Sequence, residues 1–197
     1  MSKTVFRITS VVLCVAFLAA GLLVVGAFRY YAKTTDTTET TTYRLNTAVN
    51  ADTVPEVSGK TYYVDAAAAG GNDGLSPECA LKTLEEVNKL SLGPGDQVLF
   101  KRNCRWNGQL KISASGTKDA PISFSVYGHG EYAPVLDGCG LFSATVSGED
   151  VSHIRISNLE IANQTKTRVY YLRGISFTAV NKNVEDIQIT DNYVHDV

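Results

Sequence analysis

The sequence predicts an all-β fold, a parallel β-solenoid in which short strands stack turn upon turn. Three observations predict it. A segment near the end of the chain repeats: Val151, Ile154, Ile156 and Ile161 are matched at one constant offset by Val184, Ile187, Ile189 and Val194, and Asn158 by Asp191. Within each copy the apolar residues fall two apart, Ile154 with Ile156 and Leu159 with Ile161, while His153, Arg155 and Ser157 alternate with the first pair. This is the pattern of a strand with one buried face. After Leu90 no segment carries helical periodicity. A short strand cannot bury its apolar face alone, but stacked on the next copy at about 4.8 Å it joins one continuous core. An antiparallel sandwich shows the same alternation and stands as the competing architecture.

At the N-terminus, Lys3 and Arg7 precede an uncharged, mostly apolar run from Ile8 to Phe28, flanked by Arg29, Tyr30 and Tyr31. The run is long enough to cross a bilayer as a helix and longer than a usual signal-peptide core. Residues 1–28 are therefore expected to be an uncleaved signal-anchor whose membrane helix is 8–28. Cleavage after Ala27 is the alternative, and in either case the remainder is exported. Cys14 follows Leu13 early in the run, which excludes a lipid-attachment site. Residues 29–59 are rich in Thr, with few large apolar side chains, and cannot bury enough surface to fold. They read as a solvated stalk or an inert linker.

The folded part, 60–197, opens with the strand Thr61-Tyr62-Tyr63-Val64-Asp65 and the turn-rich Gly70-Gly71-Asn72-Asp73-Gly74. A helix follows: Thr83 and Glu86 form a capping box, Leu84, Val87 and Leu90 share a face, and Gly93-Pro94-Gly95 ends it. One amphipathic helix ahead of the strands suits a solenoid, whose first turn otherwise leaves an open apolar end. Strands are then expected at 97–101, 109–112, 121–127, 134–138 and 174–178, besides the two copies of the repeat.

A net charge of −2 over 197 residues with 44% hydrophobic content suits an ordinary domain and points to no nucleic-acid partner. Of the four cysteines, Cys79, Cys104 and Cys139 lie in the exported part. One disulfide with any of three pairings, or three free thiols, are all open. No pair has zinc-ligand spacing.

Several motifs occur in a telling order: Tyr62-Tyr63-Val64-Asp65, Asn72-Asp73-Gly74-Leu75-Ser76-Pro77, Leu81-Lys82-Thr83-Leu84, Gly93-Pro94-Gly95-Asp96-Gln97-Val98-Leu99-Phe100-Lys101-Arg102, Trp106-Asn107-Gly108 and Ser115-Gly116-Thr117 with Pro121-Ile122. With the later Asn158-Leu159-Glu160-Ile161 and Asn192-Tyr193-Val194-His195-Asp196, this order resembles the N-terminal part of right-handed parallel β-helix proteins of the pectate-lyase-like superfamily. The resemblance implies an extracellular protein acting on a polysaccharide, as a uronic-acid lyase or a glycoside hydrolase. It also implies Ca²⁺ as a cofactor and catalytic groups on middle turns, at or beyond Val197, so that the chain is expected to be truncated at its C-terminus. The superfamily also contains non-catalytic carbohydrate-binding and adhesin-like surface proteins, which remain the alternative.

Acid and base work on a polysaccharide needs carboxylates or basic groups on one outward face. The densest local group is Glu185, Asp186, Asp191, His195 and Asp196. Asp191, His195 and Asp196 are the catalytic candidates, and Glu160, Asp191 and Asp196 the metal candidates. Turn chemistry accounts for the same residues, with Asn158 and Asp191 or Asn192 forming a polar ladder. Asn72-Asp73-Gly74 lacks the spacing of an EF-hand and reads as a turn. Trp106, Tyr127, Tyr132, Tyr170 and Tyr171 are candidates for stacking on sugar rings, against a competing role in core or rim packing. Asn163-Gln164-Thr165 is a glycosylation sequon.

Overall fold

The computed structural model describes residues 58–163, 165 and 171–197, all within the second of the two units into which the chain divides, Thr42–Val197. The expected membrane helix (8–28) and nearly all of the stalk lie outside the described residues. Among the described residues no helix is long and apolar enough to cross a membrane.

The elements in chain order are β1 (Thr61–Val64), α1 (Leu84–Val87), β2 (Gln97–Lys101), β3 (Arg105–Asn107), β4 (Leu110–Ile112), β5 (Ile122–Tyr127) and β6 (Val135–Asp137). They continue with β7 (Ala144–Glu149), β8 (Ile154–Ser157), β9 (Glu160–Ala162), β10 (Arg173–Thr178), β11 (Ile187–Thr190) and β12 (Tyr193–His195). Three sheets form, ordered β1-β2-β5-β8-β11, β3-β6-β9-β12 and β4-β7-β10. Every strand pairing in them is parallel. From β2 on the chain visits the first, second and third sheets in turn and begins again, which is a parallel β-solenoid. The antiparallel alternative is thereby excluded.

The repeat lies in register. Ile154 faces Ile187 and Ile156 faces Ile189 between β8 and β11, and Ile161 faces Val194 between β9 and β12. The inward column extends upstream through Phe124, Val98 and Tyr62. Each copy is two strands in two sheets. Asn158 and Asp191 both take left-handed backbone, φ 61 and 54, which Asn and Asp tolerate better than most residues, and there the chain turns from the first sheet to the second. The polar ladder at this turn is made chiefly by Asn192. Its Oδ1 accepts from Leu159 N at 3.0 Å and its Nδ2 donates to Ile156 O at 2.8 Å.

Two strands have no counterpart in the sequence reading. β3 carries one apolar residue, Trp106, and β7 (Ala-Thr-Val-Ser-Gly-Glu) dilutes its alternation with small and polar residues. Both are strands because neighbouring turns supply their hydrogen-bond partners. The helix is also shorter than the apolar spacing predicts. Its capping box is present, Leu84 and Val87 are buried, and Asn88 ends it, while Leu90 packs against the core from outside the helix.

Just past α1, Asn88 stands against the free edge of β4: its Nδ2 donates to Gln109 O at 2.9 Å and its Oδ1 accepts from Lys111 N at 2.8 Å. One amide side chain thus satisfies backbone groups that a neighbouring strand would otherwise satisfy. Trp106 Nε1 donates to Lys82 O at 2.9 Å, fixing the other end of this segment over β3.

The core runs from β1 to β9, with Val64, Phe100, Phe124, Leu136, Val146, Ile154, Ile156, Leu159 and Ile161 almost fully enclosed. Burying each such side chain contributes about 1.5–3 kcal/mol. The three cysteines in the described residues, Cys79, Cys104 and Cys139, are free thiols.

Candidate functional site

The outward face of the second sheet gathers charged groups because its register puts alternate residues of β3, β6, β9 and β12 side by side. One outward column is Arg105, Val135, Glu160 and Tyr193; the other is Asn107, Asp137, Ala162 and His195. Trp106, Leu136, Ile161 and Val194 alternate with them and point inward. Asp137 and Glu160 are therefore diagonal neighbours on adjacent strands.

Both carboxylates are buried, Asp137 at 4% and Glu160 at 2% exposure, and a buried carboxylate needs partners. Arg105 Nη2 forms an ion pair with Asp137 Oδ2, and Cys139 N donates to Asp137 Oδ1 at 2.8 Å. His195 Nε2 lies 3.2 Å from Glu160 Oε1 and its Nδ1 2.8 Å from Asp196 Oδ2. The Tyr193 ring stacks on His195 at 4.5 Å and 23°, as residues two apart on one face of a strand can.

Three of the four sequence candidates, Glu160, His195 and Asp196, thus come together. Asp191 does not; it is exposed at the corner between β11 and β12 and serves the turn. Among the described residues no group of three or more His, Cys, Asp and Glu is placed to hold a metal ion. The imidazole separates the carboxylates of Glu160 and Asp196, each of which meets a different ring nitrogen. The expected metal set of Glu160, Asp191 and Asp196 is not assembled.

The other acidic residues of the dense group, Glu185 and Asp186, directly precede β11 of the first sheet. Asp186 and His153 are equivalent positions of the repeat, both with left-handed backbone, φ 52 and 57. Asp186 Oδ2 meets Arg155 Nη2 at 2.9 Å and His153 Nδ1 at 3.2 Å. The Arg155 hydrogen bond first, and that of His153 next, hold the Asp186 carboxyl below its usual range. These residues, with Lys118, Glu185 and Gln188, line an open depression of about 560 Å³. Asp150 accepts from Val180 N, Asn181 N and Lys182 N at 2.7, 3.0 and 3.2 Å. Those backbone donors hold its pKa at about 2, and the carboxylate fixes the 180–182 turn.

Sequence reasoning missed Arg105 and Asp137. Thirty-two positions separate them along the chain, and no local motif marks either; only the register of β3 on β6 joins them. Of the candidate sugar-stacking aromatics, Trp106 and Tyr127 are core residues at 4% and 7% exposure. Tyr132 is half-buried and Tyr171 exposed, while Tyr170 lies outside the described residues. Asn72-Asp73-Gly74 is a turn, with Leu75 N donating to Asp73 Oδ1 at 3.0 Å and Gly74 at φ 77.

Asn163, the sequon residue, is 1% exposed. Its Nδ2 donates to Phe142 O at 2.8 Å and Arg173 O at 3.1 Å, and its Oδ1 accepts from Gly140 N at 2.9 Å. A glycan on Nδ2 would displace one of these bonds and has no room. Folded protein secreted from a glycosylating host is therefore expected to carry no sugar at Asn163, checked by intact mass; a glycosylated, folded species would contradict this packing.

No family model matches the chain. It is 37% identical over 133 residues to a lacto-N-biosidase of Bifidobacterium longum subsp. longum, a match covering 54% of this chain and 8% of that protein. A crystal structure of the GH136 lacto-N-biosidase from Eubacterium ramulus, a selenomethionine derivative, is similar with a TM-score of 0.64 at 28% identity. The native crystal structure of that enzyme gives 0.59 at 26%. Each covers 71% of this chain and 27% of the enzyme chain, so this chain spans about a quarter of the solved enzyme it matches. The chain is a parallel β-helix, similar in sequence and in backbone to part of a glycan-acting enzyme.

Proposed function

We propose that this chain forms the first turns of an extracellular β-helix enzyme that cleaves glycosidic bonds, with the second-sheet face toward the glycan. The observation that carries the reading is the pair of buried carboxylates, Asp137 and Glu160, on one outward face. Glycoside hydrolysis needs two carboxyl groups, one to protonate the leaving oxygen and one to act as base or nucleophile. Asp137, ion-paired with Arg105, suits the ionised role. Glu160, with His195 Nε2 at 3.2 Å from its Oε1, is the candidate for the second carboxyl. The similarity to lacto-N-biosidases favours hydrolysis over β-elimination and an oligosaccharide ending in lacto-N-biose as the first substrate to try. In this reading the solenoid is right-handed, α1 closes its first end, and the apolar run 8–28 anchors the protein or directs its export. Ca²⁺ belongs to the lyase alternative.

The test is incubation of the protein with a lacto-N-biose-terminated oligosaccharide, and with pectate and alginate, followed by product analysis. New reducing ends without an unsaturated product are expected, and Glu160→Gln is expected to lower turnover about a hundredfold or more. Unchanged turnover in Glu160→Gln removes this residue from the chemistry; an unsaturated, ultraviolet-absorbing product replaces hydrolysis with elimination. Glycan binding without turnover is the second reading. It is favoured by Asp137, whose two carboxylate oxygens are already engaged by Arg105 and Cys139 N; saturable binding with no product supports it.

A further inference from the structure

Tyr171 and Leu141 are the most exposed large apolar side chains among the described residues, at 87% and 79%. They stand on successive turns, each in a connection from the second sheet to the third: Leu141 between β6 and β7, Tyr171 between β9 and β10. The backbone around Leu141 is tied down. Cys139 and Gly140 take positive φ, 55 and 67, and Leu141 N donates to Gly138 O at 3.0 Å, closing a tight turn with the signs of type I′. Asn163 accepts from Gly140 N and donates to Phe142 O on either side of Leu141. The same amide donates to Arg173 O, two residues after Tyr171, and Arg173 N donates to Ser143 O at 3.0 Å.

This corner adjoins the carboxylate face. Asn163 directly follows β9, which carries Glu160, and its N–H donates to Asp196 O at 3.3 Å. Two bulky apolar groups held in water forgo the stabilisation of burial. Tyr171 in addition sits at φ 71, a left-handed backbone that is strained for a large side chain and that concentrates at functional sites.

We infer that Leu141 and Tyr171 form an apolar platform for the C–H face of a pyranose ring, beside the Asp137, Glu160 and His195 face. The inference rests on the glycan reading above. A pyranose ring is apolar on its faces and rimmed by hydroxyls. The platform matches it, with an aromatic and an aliphatic surface at the centre and the exposed Arg173 and Asp196 near it to meet hydroxyls. Two side chains are too small a patch for a stable protein partner, which needs a far wider contact.

The experiment is an NMR titration, with saturation transfer, of a lacto-N-biose-terminated oligosaccharide into the protein and its Tyr171→Ala, Tyr171→Phe and Leu141→Ala variants. Tyr171→Ala is expected to raise Kd about tenfold or more at unchanged Tm, Leu141→Ala to raise it less, and Tyr171→Phe to bind as the parent does. Saturation should reach the ring C–H protons of the bound sugar. Parent-like binding by Tyr171→Ala overturns the platform and leaves the glycan reading standing. Absence of binding by the parent protein overturns both.

Discussion

Phe100→Ala is expected to destabilise the first complete turn of the solenoid by about 3–5 kcal/mol. Phe100 is 0% exposed and points inward from β2, in register with Val64 on one side and Val126 on the other. Its ring meets Trp106 edge to face, with centroids 5.3 Å apart. Truncation removes the transfer free energy of the ring and leaves a cavity that three neighbouring strands cannot collapse without breaking their ladders. The effect should be local at first, because each turn of a solenoid contacts only its neighbours. The chain has a single tryptophan, so the fluorescence of Trp106 reports the first turn directly. Denaturant unfolding followed by that emission should shift to a much lower midpoint in Phe100→Ala, with Phe100→Leu in between. A loss below about 1 kcal/mol, within the range of ordinary surface substitutions and small repackings, would show that the ring is not held in the packing described.

Asn163→Ala is expected to cost about 1–3 kcal/mol. The substitution removes the partner of Gly140 N, Phe142 O and Arg173 O together; these groups are part-buried, so each loss costs at or below the low end of about 1–3 kcal/mol. The surroundings are tight: a Cβ on Gly138 would meet Asn163 Oδ1 and Thr145 Oγ1, and Thr145, itself fully buried, donates to Ala162 O at 2.6 Å. Asn163→Asp should be nearly as damaging, since a carboxylate cannot donate to two carbonyls. Thermal unfolding measures the global loss, and limited proteolysis should place new cleavage in 138–143. A variant that melts with the parent and resists proteolysis there would mean that the two connections do not depend on this amide.

The solenoid was legible in the last third of the sequence because there the physics is local. Ile154, Ile156, Ile187 and Ile189 keep strict alternation, and their stacking in register follows from the equal spacing of the copies. The capping box at Thr83 was legible for the same reason, since its partners lie within one helical turn. β3 and β7 were not legible. A strand of three residues carrying one apolar side chain, or one diluted by Ser and Gly, has no periodicity of its own and becomes a strand only when the turns on either side provide the ladder.

The candidate site divides along the same line. Glu160, His195 and Asp196 were singled out by sequence because the repeat placed them near one another; Asp191 was singled out with them, yet one turn of backbone at φ 54 sends it to a corner. Glu185 and Asp186, adjacent in sequence to the same group, lead into a different sheet: the Asp186 carboxylate is occupied by His153 and Arg155, and Glu185 N donates to Ser152 Oγ. Sequence proximity spans sheets in a solenoid, because a few residues suffice to turn from one face to the next.

By itself, then, the sequence determined the class of fold, the repeat and the turn residues, all of which depend on contacts between residues close in the chain or at one constant spacing. The tertiary structure decided that Arg105 meets Asp137, that Asp137 and Glu160 share an outward face, that Asn163 is buried rather than available for glycosylation, and that Tyr171 is exposed while Trp106 is not. Those facts depend on which residues of successive turns lie opposite one another, and on loops whose lengths differ from turn to turn. No periodic pattern carries that information, because register between strands is set by the packing of the whole stack.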